Sequence, residues 1–190
     1  MGAGPFFGRL LGSLRNPFSK PRPSQPGSLL EACASIARRT IPRINELLGL
    51  DYSGQVFFRV AEMDAPAATS GDVVTLGRKW FQDHPDDDGA IVHELVHVVM
   101  HCARMDDSNW WMIEGMADYA RDKLGYTMPW SSPTRGDPRS GYQQTAHFLL
   151  FVEQRFGPGY IRTIASGLSA SGSLPPDIDS KLASYLGGSA

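Results

Sequence analysis

The sequence has 190 residues, of which 42% are hydrophobic, and its 20 acidic and 18 basic side chains give a formal net charge of −2. A chain of this length and apolar content can bury the core of one domain without disulfides to stabilise it. The balanced charge, without a basic stripe interleaved with aromatics, argues against nucleic acid as a partner. No apolar run of about 18 residues is present, so no transmembrane segment is predicted.

A flexible basic arm is predicted at residues 1–27, and the folded domain is predicted at 28–190. The arm, MGAGPFFGRLLGSLRNPFSKPRPSQPG, has four basic residues and no acidic one, and its second half is rich in Pro, Gly and Ser. Arg9 and several glycines interrupt its apolar part, so a cleaved secretory signal is not expected. A disordered tail and an organelle transit peptide both fit this composition.

The first regular element is predicted to be a helix at residues 29–48. Ser28 and Glu31 have the spacing of a capping box, and apolar residues then recur at helical intervals. Pro42 is expected to bend or split this helix, and Gly49 to end it.

Two strands are predicted next, QVFFRV at 55–60 and DVVTLGRKWF at 72–81, because both runs are β-branched and aromatic and are bounded by turn residues. We expect the edge of the second strand to align an extended peptide by strand addition. The loop DHPDDDG at 83–89 places carboxylates where they would stabilise the positive N-terminal end of a following helix.

The rest of the chain is predicted to be mostly helical. The predicted helices are 87–104, 109–124, 140–156, 158–168 and 177–186. Because strands are followed by a run of helices and do not alternate with them, the pattern indicates an α+β domain with a small mixed sheet packed on helices.

The helix at 87–104 contains IVHELVHVVM, an apolar run interrupted by two histidines and a glutamate. An unpaired buried imidazole or carboxylate costs several kcal/mol (about 2–7), so a compensating partner is expected. On a helix His93 and His97 lie one turn apart and about 40° apart around the axis, which lets both bind one ion. Glu94 is rotated about 100° from His93, so it lies beside the ion, where a general base would act.

A catalytic zinc ion usually has three protein ligands and a water, so a third ligand is expected. His101 lies one turn beyond His97, but we expect it to contact a backbone carbonyl or solvent. If helices 87–104 and 109–124 form an antiparallel hairpin, Glu114 approaches the level of His97 and completes the site. Asp118, one turn beyond Glu114, would then accept a hydrogen bond from the free ring N–H of a ligating histidine. His93 is the favoured partner.

These blocks resemble a known family. HELVH followed by WMIEGMADYAR resembles the gluzincin metallopeptidases with a peptidase-MA-like domain, and the downstream GYQQTAHFLLFVEQRFG is similar to the plant basic secretory protein family, over residues 55–187. The resemblance implies a zincin-like fold and one Zn²⁺ per chain, bound by His93, His97 and Glu114. It further implies hydrolysis of peptide bonds in a peptide or protein substrate, with Glu94 as the base. It suggests an extracellular protein, but the slight acidity and the N-terminus leave the compartment open.

Gluzincin-like sites commonly use a tyrosine or a histidine to stabilise the oxyanion, and the third block supplies both. We expect Tyr142 to have this role, with His147 as the alternative or as a hydrogen-bonded core histidine. Trp110 and Trp111 are expected to be core anchors. Cys33 and Cys102 are either two buried thiols or one disulfide.

Two other functions are compatible with the sequence. A zinc-stabilised binding or defence protein would keep the ligands without catalysis, and an interaction module would bind no metal. Glu94 favours the enzyme, because a residue that is not a ligand has little structural reason to interrupt this apolar run.

Overall fold

A computed structural model describes residues 26–128 and 130–187, and residues 1–25 of the predicted arm lie outside them. The protein is an α+β domain in which a small mixed sheet in the N-terminal half is followed by helices, as predicted. Its strands and helices, in chain order, are α1 (Pro26–Leu48), β1 (Phe57–Ala61), β2 (Ala67–Ser70), β3 (Val73–Gly77), α2 (Arg78–Asp83), α3 (Asp88–Met100), α4 (Trp110–Lys123), a 3-10 turn (Pro138–Ser140), α5 (Tyr142–Phe156), α6 (Pro158–Ser171) and α7 (Ile178–Gly187).

The first helix is longer than predicted and is not split, since α1 runs through Pro42 without a break. Pro42 is exposed, so the carbonyl group that loses its hydrogen bond can be hydrated. Cys33 of α1 is a buried thiol and Cys102 is a half-buried one, so the disulfide alternative is wrong.

The sheet differs from the prediction in two ways. The run at 72–81 ends as a strand at Gly77, and α2 begins at Arg78, because a helical turn brings Phe81 into the core. A third strand, β2, is made of the short run AATS, whose small side chains carry little strand signal.

The strand order β1-β3-β2 makes β3 the central strand. β3 pairs in parallel with β1 and antiparallel with β2, with Val74 opposite both Phe58 and Thr69. The predicted peptide-binding edge on this strand is therefore wrong, because both edges of β3 are occupied. The edge beside α3 belongs to β2.

The core surrounds α3, which contacts α1, α4 and β2. Eleven of its thirteen residues are buried, because helices or strands pack against almost its entire surface. The described residues contain no helix that is both long and apolar enough to cross a membrane.

Candidate metal centre

Helix α3 begins at a capped N-terminus and ends at a left-handed residue. The Asp87 side chain accepts a hydrogen bond from the Ala90 amide at 3.0 Å, as expected for an N-cap and for the acidic loop that precedes the helix. The predicted end at residue 104 is wrong, because His101 has φ 40° and ψ 51° and caps the helix after Met100. His93 lies in the middle of this helix and His97 in its last turn.

Helices α3 and α4 form the predicted antiparallel hairpin. His93 contacts Asp118, near the C-terminal half of α4, while His97 lies near Glu114 one turn earlier in α4. Gly115 lets α4 approach α5 closely, since a Cβ atom there would lie 2.1 Å from the Cβ of Thr145. This packing fixes the position of α4, and with it the level along the helix hairpin at which Glu114 lies beside the histidines.

Three donor atoms converge between the two helices. His93 Nε2 lies 3.1 Å from both His97 Nε2 and Glu114 Oε2, and His97 Nε2 lies 3.6 Å from Glu114 Oε2. Tetrahedral ligands at zinc–nitrogen distances of about 2.0–2.1 Å would be separated by about 3.3 Å. The three residues form a group that could hold a metal ion, with a spacing that suits zinc.

The hydrogen bonding of His93 favours a cation at this position. Its Nδ1 donates to Asp118 Oδ1 at 2.7 Å, so in the neutral ring Nε2 carries a lone pair that points at a carboxylate oxygen and a second imidazole nitrogen. Burial alone would lower the pKa of His93, but its hydrogen bonds to Asp118 and Glu114 and the negative charges of Asp118 and Glu94 raise it to about 10. Without a metal ion, the site therefore binds a proton. The same three electron-pair donors face one point, so they can bind a divalent cation in place of that proton.

Asp118 is held from two sides. Its Oδ1 also lies 3.0 Å from Nη2 of Arg121, and the same nitrogen donates to the carbonyl oxygen of Ser131 at 2.9 Å. Both side chains are more than nine-tenths buried. Arg121 was not predicted from the sequence, although its i+3 spacing from Asp118 on the same helix indicates such a pair.

Glu94 lies beside the three donor atoms and is not a member of their group. Its Oε2 accepts a hydrogen bond of 2.7 Å from the hydroxyl group of Thr69, which also donates to the Glu94 carbonyl oxygen at 3.2 Å. Thr69 belongs to β2 and was missed because that strand was not predicted. This hydrogen bond ties the Glu94 carboxylate to β2, which forms one wall of the site.

Tyr142 is the first residue of α5 and lies at the mouth of the site. Its ring is stacked 6.2 Å from the His93 ring, and its φ of 48° is rare for a residue with a side chain. The preceding Gly141 has φ 79°, and its lack of a side chain leaves room for the ring of Trp110. Burial and the nearby carboxylates of Glu114, Asp118 and Glu94 raise the pKa of Tyr142.

The other predicted candidates lie outside the donor group. His147 forms a hydrogen bond of 3.0 Å with the hydroxyl group of Tyr185, so it is a hydrogen-bonded histidine as in the alternative interpretation, although it is half-buried and not part of the core. His101 is exposed at the end of α3 and is not a member of the group. Trp111 is a core residue as predicted, and Trp110 is partly buried against the core.

The site opens into a cleft of about 760 Å³. One wall is β2, through Ala67, Ala68 and Thr69, and the other is formed by α4 and the start of α5. The donor group and Glu94 line the same cleft, so a chain lying along β2 would pass close to them.

The chain matches one family model, described as BSP, peptidase of plants and bacteria, over residues 51–175. The matched region is more than half of the chain and includes the HELVH helix, its α4 partner and Tyr142. No curated protein and no solved structure matches the chain.

Proposed function

Because this chain belongs to the BSP family, peptidases of plants and bacteria, we propose that it is a zinc-dependent metallopeptidase. The observation that supports this most strongly is the triangle of donor atoms from His93, His97 and Glu114, with edges of 3.1, 3.1 and 3.6 Å. A ligand set of two histidines and a glutamate leaves a fourth position open for water or substrate.

In this proposal His93, His97 and Glu114 bind the ion, and Asp118 fixes the ring orientation of His93 by accepting its Nδ1 proton. When bound, zinc lowers the pKa of coordinated water and polarises the scissile carbonyl group. Glu94 takes a proton from the attacking water at its carboxylate and delivers it to the leaving amine. The Thr69 hydroxyl group holds that carboxylate in position.

The substrate in this proposal is an extended peptide that pairs with β2. Among the described residues β2 pairs with β3 on one side, and its residues Ala67–Thr69 line the cleft. Main-chain hydrogen bonds to such an edge supply affinity without depending on the side-chain sequence. Tyr142, on the opposite wall, would donate its hydroxyl proton to the carbonyl oxygen as negative charge develops there.

The proposal is tested by measuring the metal content of the purified protein together with cleavage of a mixed peptide library. We expect about one zinc per chain, cleavage that stops after treatment with a chelator, and cleavage that returns when zinc is added. A metal-free protein would indicate an interaction module. A zinc-containing protein without cleavage would favour the alternative, a zinc-stabilised binding or defence protein.

A further inference from the structure

Exposed apolar side chains are concentrated in the cleft. Among the described residues six large hydrophobic side chains are exposed, and three of them, Met105, Trp130 and Tyr142, line this one cleft. Clustered exposed apolar surface usually marks a binding site, whereas single exposed residues are ordinary. Trp130 is 52% exposed, so about half of its surface is free to contact a ligand.

Trp130 and Trp80 form an aromatic wall at the end of the cleft nearest the start of α3. The ring of His84 lies between them, stacked 4.1 Å from Trp80 and tilted 5.7 Å from Trp130. Trp80 Nε1 donates to Asp87 Oδ2 at 3.0 Å, and the Gln143 side-chain amide donates to the Trp130 carbonyl oxygen at 2.8 Å. The Trp80 indole and the Trp130 backbone are thus anchored before any ligand binds, which reduces the entropy cost of binding.

The cleft is also lined by residues with small side chains, Ala65, Pro66, Ala67 and Ala90. They line the same cleft as the two indoles, and their short side chains occupy little of its volume. Ala90 precedes His93 by three residues on α3, so it lies about one helical turn, roughly 5 Å along the helix axis, from this histidine. An extended peptide advances about 3.4 Å per residue, so the side chain that enters belongs within about two residues of the scissile bond.

The charge at this end of the cleft favours an uncharged side chain. Asp87 is the carboxylate beside Trp80, and it is only 4% exposed with both oxygens engaged, one by the Ala90 amide and one by the Trp80 indole. Because Asp87 is buried, it presents no exposed oxygen to a substrate ammonium or guanidinium group. An aromatic side chain, in contrast, can pack against the indoles in the offset or edge-to-face geometry that aromatic pairs prefer.

We propose that Trp80 and Trp130 form a subsite that selects peptides with an aromatic side chain within about two residues of the scissile bond. The inference rests on the proposed peptidase function and specifies its substrate class. An aromatic pair contributes enough free energy for a preference of up to about tenfold over alanine.

The test uses alanine-based peptides in which one phenylalanine, or one lysine, is moved along the chain. We expect the zinc-loaded enzyme to cleave at a constant distance from phenylalanine, with kcat/KM about tenfold above that of the all-alanine peptide and no gain from lysine. Trp130→Ala should reduce this ratio to near one. The matched control is Phe57→Ala, since Phe57 is 53% exposed but outside the cleft, and this variant should keep the ratio.

A second measurement separates this inference from the proposed function. Calorimetric binding of the same peptides to zinc-loaded Glu94→Gln protein requires no turnover, and we expect the phenylalanine preference and its loss in the Trp130→Ala, Glu94→Gln double variant. Equal affinity for phenylalanine and alanine peptides, or a preference for lysine, would overturn the subsite even if peptides are cleaved. Selective binding without cleavage by the wild-type enzyme would retain the subsite and contradict the peptidase function.

Discussion

At the scale of single residues, the carboxylate of Asp118 determines which nitrogen of His93 faces the metal position. It accepts the Nδ1 proton at 2.7 Å, which leaves the Nε2 lone pair for a metal ion. We expect Asp118→Asn to weaken zinc affinity by about 10- to 100-fold in competition with a chromogenic chelator, because an amide is a poorer acceptor. Asp107→Asn, on an exposed loop residue, is the control. Equal zinc affinity in the two variants would show that Asp118 does not orient the ligand.

Tyr142 is held in an unusual backbone conformation at the mouth of the cleft. Such strain is concentrated at functional sites, where surrounding structure enforces it. We expect Tyr142→Phe to reduce kcat by about 10²–10³ while KM and zinc content change little, because only the transition state carries charge on the carbonyl oxygen. Steady-state kinetics of the zinc-loaded variant give the result, and unchanged kcat would remove Tyr142 from the mechanism.

The contacts that single-residue patterns failed to predict join distant parts of the chain. The spacing of His93, Glu94 and His97 is local to one helix, so the sequence predicted their arrangement directly. The bond from Thr69 to Glu94 depends on a strand of four small residues, and the link from Arg121 to Ser131 crosses a loop. Neither Thr69 nor Ser131 belongs to a periodic sequence pattern that would identify it as a partner.

At the scale of elements, the close approach of α4 and α5 positions Glu114. Gly115 faces Thr145 where a Cβ atom cannot fit without movement of one helix. We expect Gly115→Ala to lower stability by about 1–3 kcal/mol, as overpacking does, and to weaken zinc binding because Glu114 is the adjacent residue. Thermal unfolding and chelator competition measure the two effects.

The control for this helix contact is Gly159→Ala. Gly159 also lies in a helix, α6, but nothing lies within 4 Å of the position of its missing Cβ atom. Alanine there should be neutral or stabilising by up to about 1 kcal/mol, since it restricts the unfolded chain and favours helix. Equal effects of the two substitutions would show that the α4–α5 contact does not depend on Gly115.

The helical half of the fold could be predicted from the sequence more completely than the sheet. The α3–α4 hairpin follows from two apolar periodic runs joined by a short polar loop, and its antiparallel pairing places Glu114 and Asp118 beside the histidines. The sheet requires long-range pairing that leaves little local pattern. As a result, β2 was not predicted. β3 was predicted to offer a free edge, but it is the central strand of the sheet.

At the scale of the whole molecule, the buried His93 and the half-buried Glu114 make the stability of the metal-free protein depend on pH. Burial opposes the charged form of Glu114, but hydrogen bonds and charges of His93 and His97 lower its pKa from 4.5 to about 2. This contribution is full above pH 4.5 and is lost as the pH falls toward 2. The raised pKa of His93 has the opposite pH dependence. Its contribution to the stability of the folded protein is full below pH 6.5 and is lost as the pH rises toward 10.

Both contributions are therefore complete only between about pH 4.5 and 6.5. We expect the metal-free protein to unfold at a higher temperature at about pH 5.5 than at about pH 8.5, and added zinc to stabilise it more at the higher pH, where protons compete less for the ligands. Thermal unfolding of chelator-treated protein at the two pH values measures this. Greater stability of the metal-free protein at the higher pH would contradict the coupling between His93 and its carboxylates.

The most direct test of the metallopeptidase proposal is peptide cleavage by Glu94→Gln, with zinc content measured on the same sample. The substituted amide would keep the shape of the side chain but could not take a proton, so we expect about one zinc per chain and cleavage reduced at least about 100-fold. Glu46→Gln, on the exposed face of α1, should cleave like the unaltered protein. Cleavage by Glu94→Gln at the unaltered rate, with zinc bound, would contradict the proposed mechanism.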